Sequence, residues 1–274
     1  VETRCVVPAM GTLLSIRAWG AAAVEAVREA VWEAHRLETL WSRFRPDSEV
    51  SRLMAQAGQW VPVAPETRQL LLSSLEMHEL TGGAFDITLG GGAAGALEHS
   101  GGMFRLAPGA QLDLGGIGKG AAVARLIQLL QLRGVRAALV NFGESSIGVI
   151  GSPPTREAWR IGIRSPGGGS AATLELTAGS LSTSGDYEQT SAQYNHVVDP
   201  STHRAADSNL RSATVLTADP VRAEALSTAM LVLGAAHGLA LQATLGGFDT
   251  VLIDHDGHLT STVGRRDRSL HSRV

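Results

Sequence analysis

Hydrophobic positions in the first third of the chain follow two different periods. Residues 3–19 alternate loosely and are rich in Val, Leu and Ile, with a break at Pro8-Ala9-Met10-Gly11-Thr12, which predicts two strands joined at a bend. From Ala21 to Phe44 the apolar residues Val24, Val27, Val31, Ala34, Leu37, Leu40, Trp41 and Phe44 recur at helical spacing, while Glu25, Arg28, Glu29 and Glu33 take the other face. That predicts a long amphipathic helix laid on a sheet. Arg45-Pro46 stops it, and residues 47–53 predict a short capped helix. A further helix is expected from Glu66 to Leu80, opening after Pro65 and closing at Thr81-Gly82-Gly83.

Beyond this point chemistry-bearing residues appear within the pattern. Ala84-Phe85-Asp86-Ile87-Thr88 reads as extended, so Asp86 and Thr88 would point the same way as an oxygen pair. Residues 89–102, rich in Gly and Ala, read as loop. The apolar run Gln111-Leu112-Asp113-Leu114 breaks into Gly115-Gly116-Ile117-Gly118-Lys119-Gly120 and then into residues 121–130, which have the apolar density of a buried helix. This predicts strand, glycine turn, helix. Glycines let the backbone approach a ligand, and unpaired N–H groups at a helix start favour an anion such as phosphate. A tight connection without a ligand is the other reading. The stretch is not a phosphate-binding Walker loop, because Asp113 and Gly120 stand where Gly and Ser or Thr are required. It satisfies a dinucleotide pattern over Gly116, Gly118 and Ala121, but no acid ends the next strand, 137–140.

Residues 137–141 predict a buried strand, and 147–150 with 159–163 predict a strand pair joined by a Pro-Pro loop. Leu181-Ser182-Thr183-Ser184-Gly185-Asp186-Tyr187 is dense in hydroxyls, either a turn or a grip on a polar ligand. His196 follows, before Asp199-Pro200. Asp219-Pro220 caps a helix running to Leu233, on which Glu224 and Thr228 lie one above the other. A carboxylate and a hydroxyl so displayed suit Mg²⁺, which takes oxygen ligands; a buried Thr beside a solvated Glu is the plainer reading. Residues 248–253 and 258–263 predict a hairpin turning at Asp256-Gly257, where His255 and His258 with two acids are read as a turn in preference to a metal site.

Composition narrows the class. The chain has 274 residues, 44% hydrophobic and 18% charged, within the range of one large domain; the connector 166–170 is too short to mark a boundary. With 23 basic and 26 acidic side chains the net charge is −3, which argues against nucleic acid as the partner, and the arginines at 265, 266, 268 and 273 read as a solvated tail. Cys5 alone forms neither an internal disulfide nor a thiolate metal site. His35 and His78 read as structural. No uncharged run of the ~18 residues that a membrane helix requires is expected, and Glu2 and Arg4 replace an apolar signal core. The expectation is a cytoplasmic protein, with an exported, processed form as the alternative.

Taken together, Pro8-Ala9-Met10-Gly11-Thr12, Ser42-Arg43-Phe44, Ser48-Glu49-Val50-Ser51-Arg52-Leu53, Gly83-Ala84-Phe85-Asp86-Ile87-Thr88, the Leu112–Gly120 stretch, Thr183-Ser184-Gly185-Asp186-Tyr187, His196-Val197-Val198-Asp199-Pro200 and Ala223-Glu224-Ala225-Leu226-Ser227-Thr228-Ala229 resemble the successive motifs of the ApbE family. The resemblance spans residues 6–235 and implies a single α+β domain over 1–274, of the T-fold-like type. It also implies transfer of the FMN half of FAD to a Ser or Thr hydroxyl of an acceptor flavoprotein, with Mg²⁺ required and AMP released. On the same basis Met10 would lie against the isoalloxazine. Asp86, Thr88, Gly115, Gly116, Gly118, Lys119, Ser184, Asp186, Tyr187 and His196 would contact FAD, and Glu224, Thr228 and a carbonyl near Gly118 would hold Mg²⁺. Lys119 would offset phosphate charge, and Asp186 or His196 would serve the leaving group or the attacking hydroxyl. The chain departs from the family pattern at Glu224 (usually Asp), Ile87 (usually Pro), Ala121 and Ala124 (usually Tyr and Asp) and Glu144 (usually Gly). Two other readings keep the fold: cleavage of FAD toward water or a non-protein acceptor, and a non-catalytic flavin-binding protein.

Overall fold

The alternation over residues 3–19 becomes a hairpin. Strands β1 (Glu2–Ala9) and β2 (Thr12–Trp19) pair antiparallel up to Ala9 opposite Thr12. Met10 and Gly11 close it with φ of 51° and 72°; two left-handed residues in a two-residue loop match the twist of the strands they join. The computed structural model describes residues 1–88, 93–165, 168–185 and 197–264. The elements that follow the hairpin are α1 (Ala23–Trp41), α2 (Glu49–Ala55), β3 (Val61–Pro62), α3 (Pro65–Leu80), α4 (Ala93–Ala96), β4 (Leu97–Ser100), β5 (Met103–Leu106), α5 (Gly118–Leu132), β6 (Ala137–Phe142), β7 (Ser146–Ile150), β8 (Trp159–Arg164), β9 (Ser170–Leu176), β10 (Ala178–Gly185), β11 (Val198–Asp199), β12 (Arg204–Ala205), β13 (Leu210–Thr217), α6 (Pro220–Leu245), β14 (Asp249–Asp254) and β15 (Leu259–Ser261).

Eight strands form one antiparallel sheet in the order β1-β2-β6-β7-β10-β13-β14-β15. One face carries α1, α5 and α6 over a core that includes Leu14, Ile16, Leu37, Leu126, Val140, Phe142, Val215 and Leu226. The other face packs Ile147, Val149 and Leu181 against Trp159, Ile161 and Ile163 of the separate β8–β9 ribbon. The architecture is therefore α+β, as the sequence predicts. The α1 stripe meets β1, β2 and α5. Its buried Glu33 accepts from Arg36 at 2.7 Å and from Arg125 of α5 at 2.9 Å. Arg36 also reaches Glu66 of α3.

Several local expectations are corrected. Residues 111–114 are not a strand: Leu112 N–H donates to Met54 Sδ at 3.4 Å and Asp113 N–H to Ile87 O at 2.8 Å, contacts to loop and helix groups that leave no ladder. Strands β7 and β8 do not pair; β7 is taken on both edges by β6 and β10, so β8 stacks across its face. Within 89–102, residues 97–100 enter a hairpin with β5. The uncharged run 225–248 exceeds the ~18 residues set as a limit, and α6 is long and apolar enough, by length and composition, to cross a membrane. Its first half instead lies against β10, β13 and α5, with Ala225, Leu226, Ala229 and Met230 in the core. Gly234 (φ 74°, ψ 176°) breaks the helix where the sequence predicts its end, and a second segment continues to Leu245.

Register places the site. Leu14 pairs with Phe142, Phe142 with Ser146, and Ser146 with Ser182. The Met10–Gly11 turn, the β6–β7 turn at residues 143–145 and the end of β10 at Ser184-Gly185 therefore share one end of the sheet.

Candidate functional site

The start of α5 meets the first turns of α6, whose Ser227 and Thr228 lie beside the end of β10. Asp219 caps α6 by accepting Val221 N–H at 2.9 Å, with Pro220 at the first helical position, where no N–H is needed. The glycine loop before α5 is pinned by Asp113. One of its oxygens accepts Gly115 N–H at 2.8 Å, and the other lies 3.3 Å from Arg43 Nη1. The glycines are demanded by proximity. A Cβ on Gly116 would sit 3.3 Å from both Thr228 Oγ1 and the Phe85 ring, and one on Gly120 would meet Pro220 O at 2.3 Å and Glu224 Cβ at 3.0 Å. Only a bare backbone lets α5 and α6 approach so closely.

The charges of the site are internal to it. Glu224 is 3% exposed, and a carboxylate buried that deeply must be paired. Its Oε1 lies 2.7 Å from Lys119 Nζ, and its Oε2 accepts the N–H of Gly120 in the first turn of α5. Lys119 also donates to Gly115 O at 3.1 Å, folding back over the loop. One turn along α6, Thr228 Oγ1 donates to Glu224 O at 3.2 Å, and Ser227 Oγ donates to the same carbonyl at 2.9 Å. Ser184 Oγ bridges them, 2.9 Å from Ser227 Oγ and 3.3 Å from Thr228 Oγ1. A deeper hydroxyl, Ser182, lies 3.4 Å from Ser227.

The structure thus brings Gly115, Gly116, Lys119, Ser184, Glu224 and Thr228 together. Of the glycines in the loop, Gly116 is the one whose Cβ position lies against Thr228, and the Cβ position of Gly118 faces Leu114. The plainer reading of Glu224 as solvated is overturned by its burial. Ser227 was missed although it stands three residues after Glu224 on the same helical face. Asp86 and Thr88 are adjacent, but in a turn and not in an extended segment. Asp86 Oδ1 accepts Thr88 N–H at 2.7 Å and its hydroxyl at 2.6 Å, so the two groups satisfy each other. His78 Nδ1, 3.0 Å from Phe85 O and 3.8 Å from Asp86 Oδ2, braces that turn, a structural role with a bearing on the site. Met10 is half-buried against the core at its turn. Asp186, Tyr187 and His196 lie outside the described residues.

Chemically, a buried carboxylate, one or two hydroxyls and a loop main chain within contact are all-oxygen donors, the set that a hard divalent cation takes. Thr228 gives its proton to Glu224 O, which leaves an oxygen lone pair for such an ion. Beside them the Gly120 N–H, which already holds a carboxylate oxygen, and the Lys119 ammonium suit an anion, while the N–H groups of Gly118 and Ala121 are taken by Leu114 O and Ile117 O. At the β14–β15 hairpin, Asp254, Asp256 and His258 cluster on the surface, but Asp254 Oδ1 is already used by the turn, accepting from Asp256 N–H at 3.0 Å and His258 N–H at 2.8 Å. His255 turns away to Ser208 O.

The model of the family described as ApbE matches residues 10–97 and 93–252. The chain is similar to the FAD:protein FMN transferase of Treponema pallidum, with 29% identity over 94% of this chain and 86% of that one. Among solved structures it is similar to the apo flavinyl transferase ApbE of Pseudomonas stutzeri, with 27% identity, TM-score 0.83, and 96% and 95% of the two chains covered. The fold also matches the ApbE protein of Thermotoga maritima, with 24% identity, TM-score 0.87 and coverage of 95% and 97%.

Proposed function

The chain belongs to the ApbE family, and from that premise we propose that it is an FAD:protein FMN transferase. In the proposed reaction, the oxygen of a Ser or Thr hydroxyl on an acceptor flavoprotein attacks the FMN-side phosphorus of FAD. A phosphoester bond forms as the bond to the bridging oxygen breaks, and AMP leaves with that electron pair. The hydroxyl proton passes to His196 or Asp186. The observation that carries the reading is the contact between the glycine turn at Gly116–Gly120 and the Glu224–Thr228 face of α6, where anion-binding groups stand beside an all-oxygen donor set.

Lys119 and the Gly120 N–H at the start of α5 would bind and orient the diphosphate and offset its charge. Glu224, Thr228 and the main chain at Gly116–Gly118 would hold Mg²⁺, which when bound supplies Lewis-acid polarisation of a phosphoryl oxygen. Met10 would support the isoalloxazine from the β1–β2 turn, and Asp86, Thr88, Ser184 and Tyr187 would line the nucleotide's path. Incubation with FAD, Mg²⁺ and an acceptor carrying the target hydroxyl tests this. AMP should appear together with acceptor bearing FMN, and EDTA should stop both. AMP released equally fast without acceptor would make the protein a hydrolase, and FAD held intact would make it a binding protein.

A further inference from the structure

We infer that Glu224 is an internal stand-in for the nucleotide's diphosphate: with no cation bound, its carboxylate fills the cradle at the start of α5, and FAD gains full access only once that carboxylate has turned to a divalent ion. The inference rests on the proposed flavin-transferase reading and adds to it an order of binding.

The groups that would receive a diphosphate are already engaged. Gly120 has one N–H, and Glu224 Oε2 accepts it; Lys119 Nζ lies 2.7 Å from Glu224 Oε1 and donates back to Gly115 O at 3.1 Å. A single backbone donor serves one strong acceptor, so a phosphate oxygen and the Glu224 carboxylate compete for it. Space enforces the same exclusion: a Cβ on Gly120 would sit 3.0 Å from Glu224 Oε2, so the carboxylate lies directly against the helix start. Glu224 is also the residue offered to a cation together with Thr228. When its carboxylate takes up that role, the Gly120 N–H is released to the nucleotide. Cation and FAD should therefore favour each other, each tightening the other's binding by the same factor. Displacing one charge-assisted hydrogen bond corresponds to roughly tenfold to a hundredfold in affinity.

The test is FAD affinity, read by quenching of flavin fluorescence, in EDTA and in Mg²⁺. The unaltered protein should bind FAD at least about tenfold more weakly in EDTA. Glu224→Ala should bind FAD in EDTA about tenfold more tightly than the unaltered protein does, and lose its dependence on Mg²⁺. If Glu224→Ala binds FAD in EDTA no better than the unaltered protein, the stand-in is refuted while the transferase reading survives. If FAD fails to bind even with Mg²⁺, that reading falls and the stand-in with it. Should the variant fail to fold, the Gly120 amide resonance of the unaltered protein decides. It should move when Mg²⁺ is added before any nucleotide, and a resonance that stays put overturns the inference.

Discussion

Replacing Gly120 by Ala tests the closeness of the two helices on which the site depends. Within a helix such a change normally stabilises by about 1 kcal/mol. Here the new methyl would lie 2.3 Å from Pro220 O and 3.0 Å from the Glu224 side chain, and the nearer atom is backbone that cannot rotate aside. Forcing an atom into packed surroundings costs about 1–3 kcal/mol, and parting the helices weakens the carboxylate's bond to Gly120 N–H, worth roughly 1.5–3 kcal/mol. The net expectation is destabilisation of about 2–4 kcal/mol, which for a chain of this size lowers Tm by roughly 3–7 °C. A shift approaching 1 Å between Lys119 and Glu224 should also cut kcat/KM for AMP release by about a hundredfold. Gly118→Ala is the internal control for stability: its methyl would meet only Leu114 Cβ, at 3.9 Å, so Tm should hold or rise. Scanning calorimetry on both variants decides. Equal Tm values for the two would refute the claim that α5 and α6 meet at Gly120.

Other expectations follow from the same contacts. Glu224→Gln keeps the size and an acceptor but removes the charge a cation needs, so Mg²⁺-dependent AMP release should drop by about a hundredfold or more; release at the full rate would remove Glu224 from the metal site. Glu33 is held down to a pKa of about 2, chiefly by its hydrogen bond from Arg36 and then by that from Arg125. A depressed folded pKa stabilises above the unfolded value of 4.5 and is lost as pH falls toward 2. The partly exposed guanidinium groups moderate this to roughly 2 kcal/mol. Urea midpoints for Glu33→Gln should therefore lie below those of the parent at pH 7, with the gap narrowing at pH 3; a constant gap would contradict the assignment. Glu144 sits at φ 60°, and its ion pair with Arg164 is largely exposed, so the pair returns little. Glu144→Gly should stabilise by about 0.5–1 kcal/mol in chemical denaturation through relief of left-handed strain; a loss of stability would mean that the ion pair outweighs the strain.

Legibility from sequence followed how local the cause of each feature is. The α1 stripe, the Pro65 and Asp219-Pro220 helix starts and the Met10-Gly11 turn were readable because capping, periodicity and backbone preference act over a few residues. Residues 111–114 were not, because their backbone partners, Met54 Sδ and Ile87 O, are distant in sequence and nothing in the run itself forbids a strand. The partners of β7 and β8 misled for the same reason. In the site, the spacing of Glu224 and Thr228 exposed a shared face, but the burial of Glu224 and its grip on Gly120 arise between two helices about a hundred residues apart. The uncharged length of α6 illustrates the converse, since composition suited to a membrane is spent here on a helix packed against β10, β13 and α5.

The central claim is that the α5 start and the Glu224–Thr228 face form one site for a divalent cation and a flavin dinucleotide. Diffraction from crystals soaked with FAD and Mn²⁺, recorded at the manganese absorption edge, tests it directly. The account predicts an anomalous peak within about 2.3 Å of both a Glu224 carboxylate oxygen and Thr228 Oγ1, with the diphosphate against Lys119 and the Gly120 N–H. A peak confined to Asp254, Asp256 and His258, or flavin bound away from α5, would contradict it.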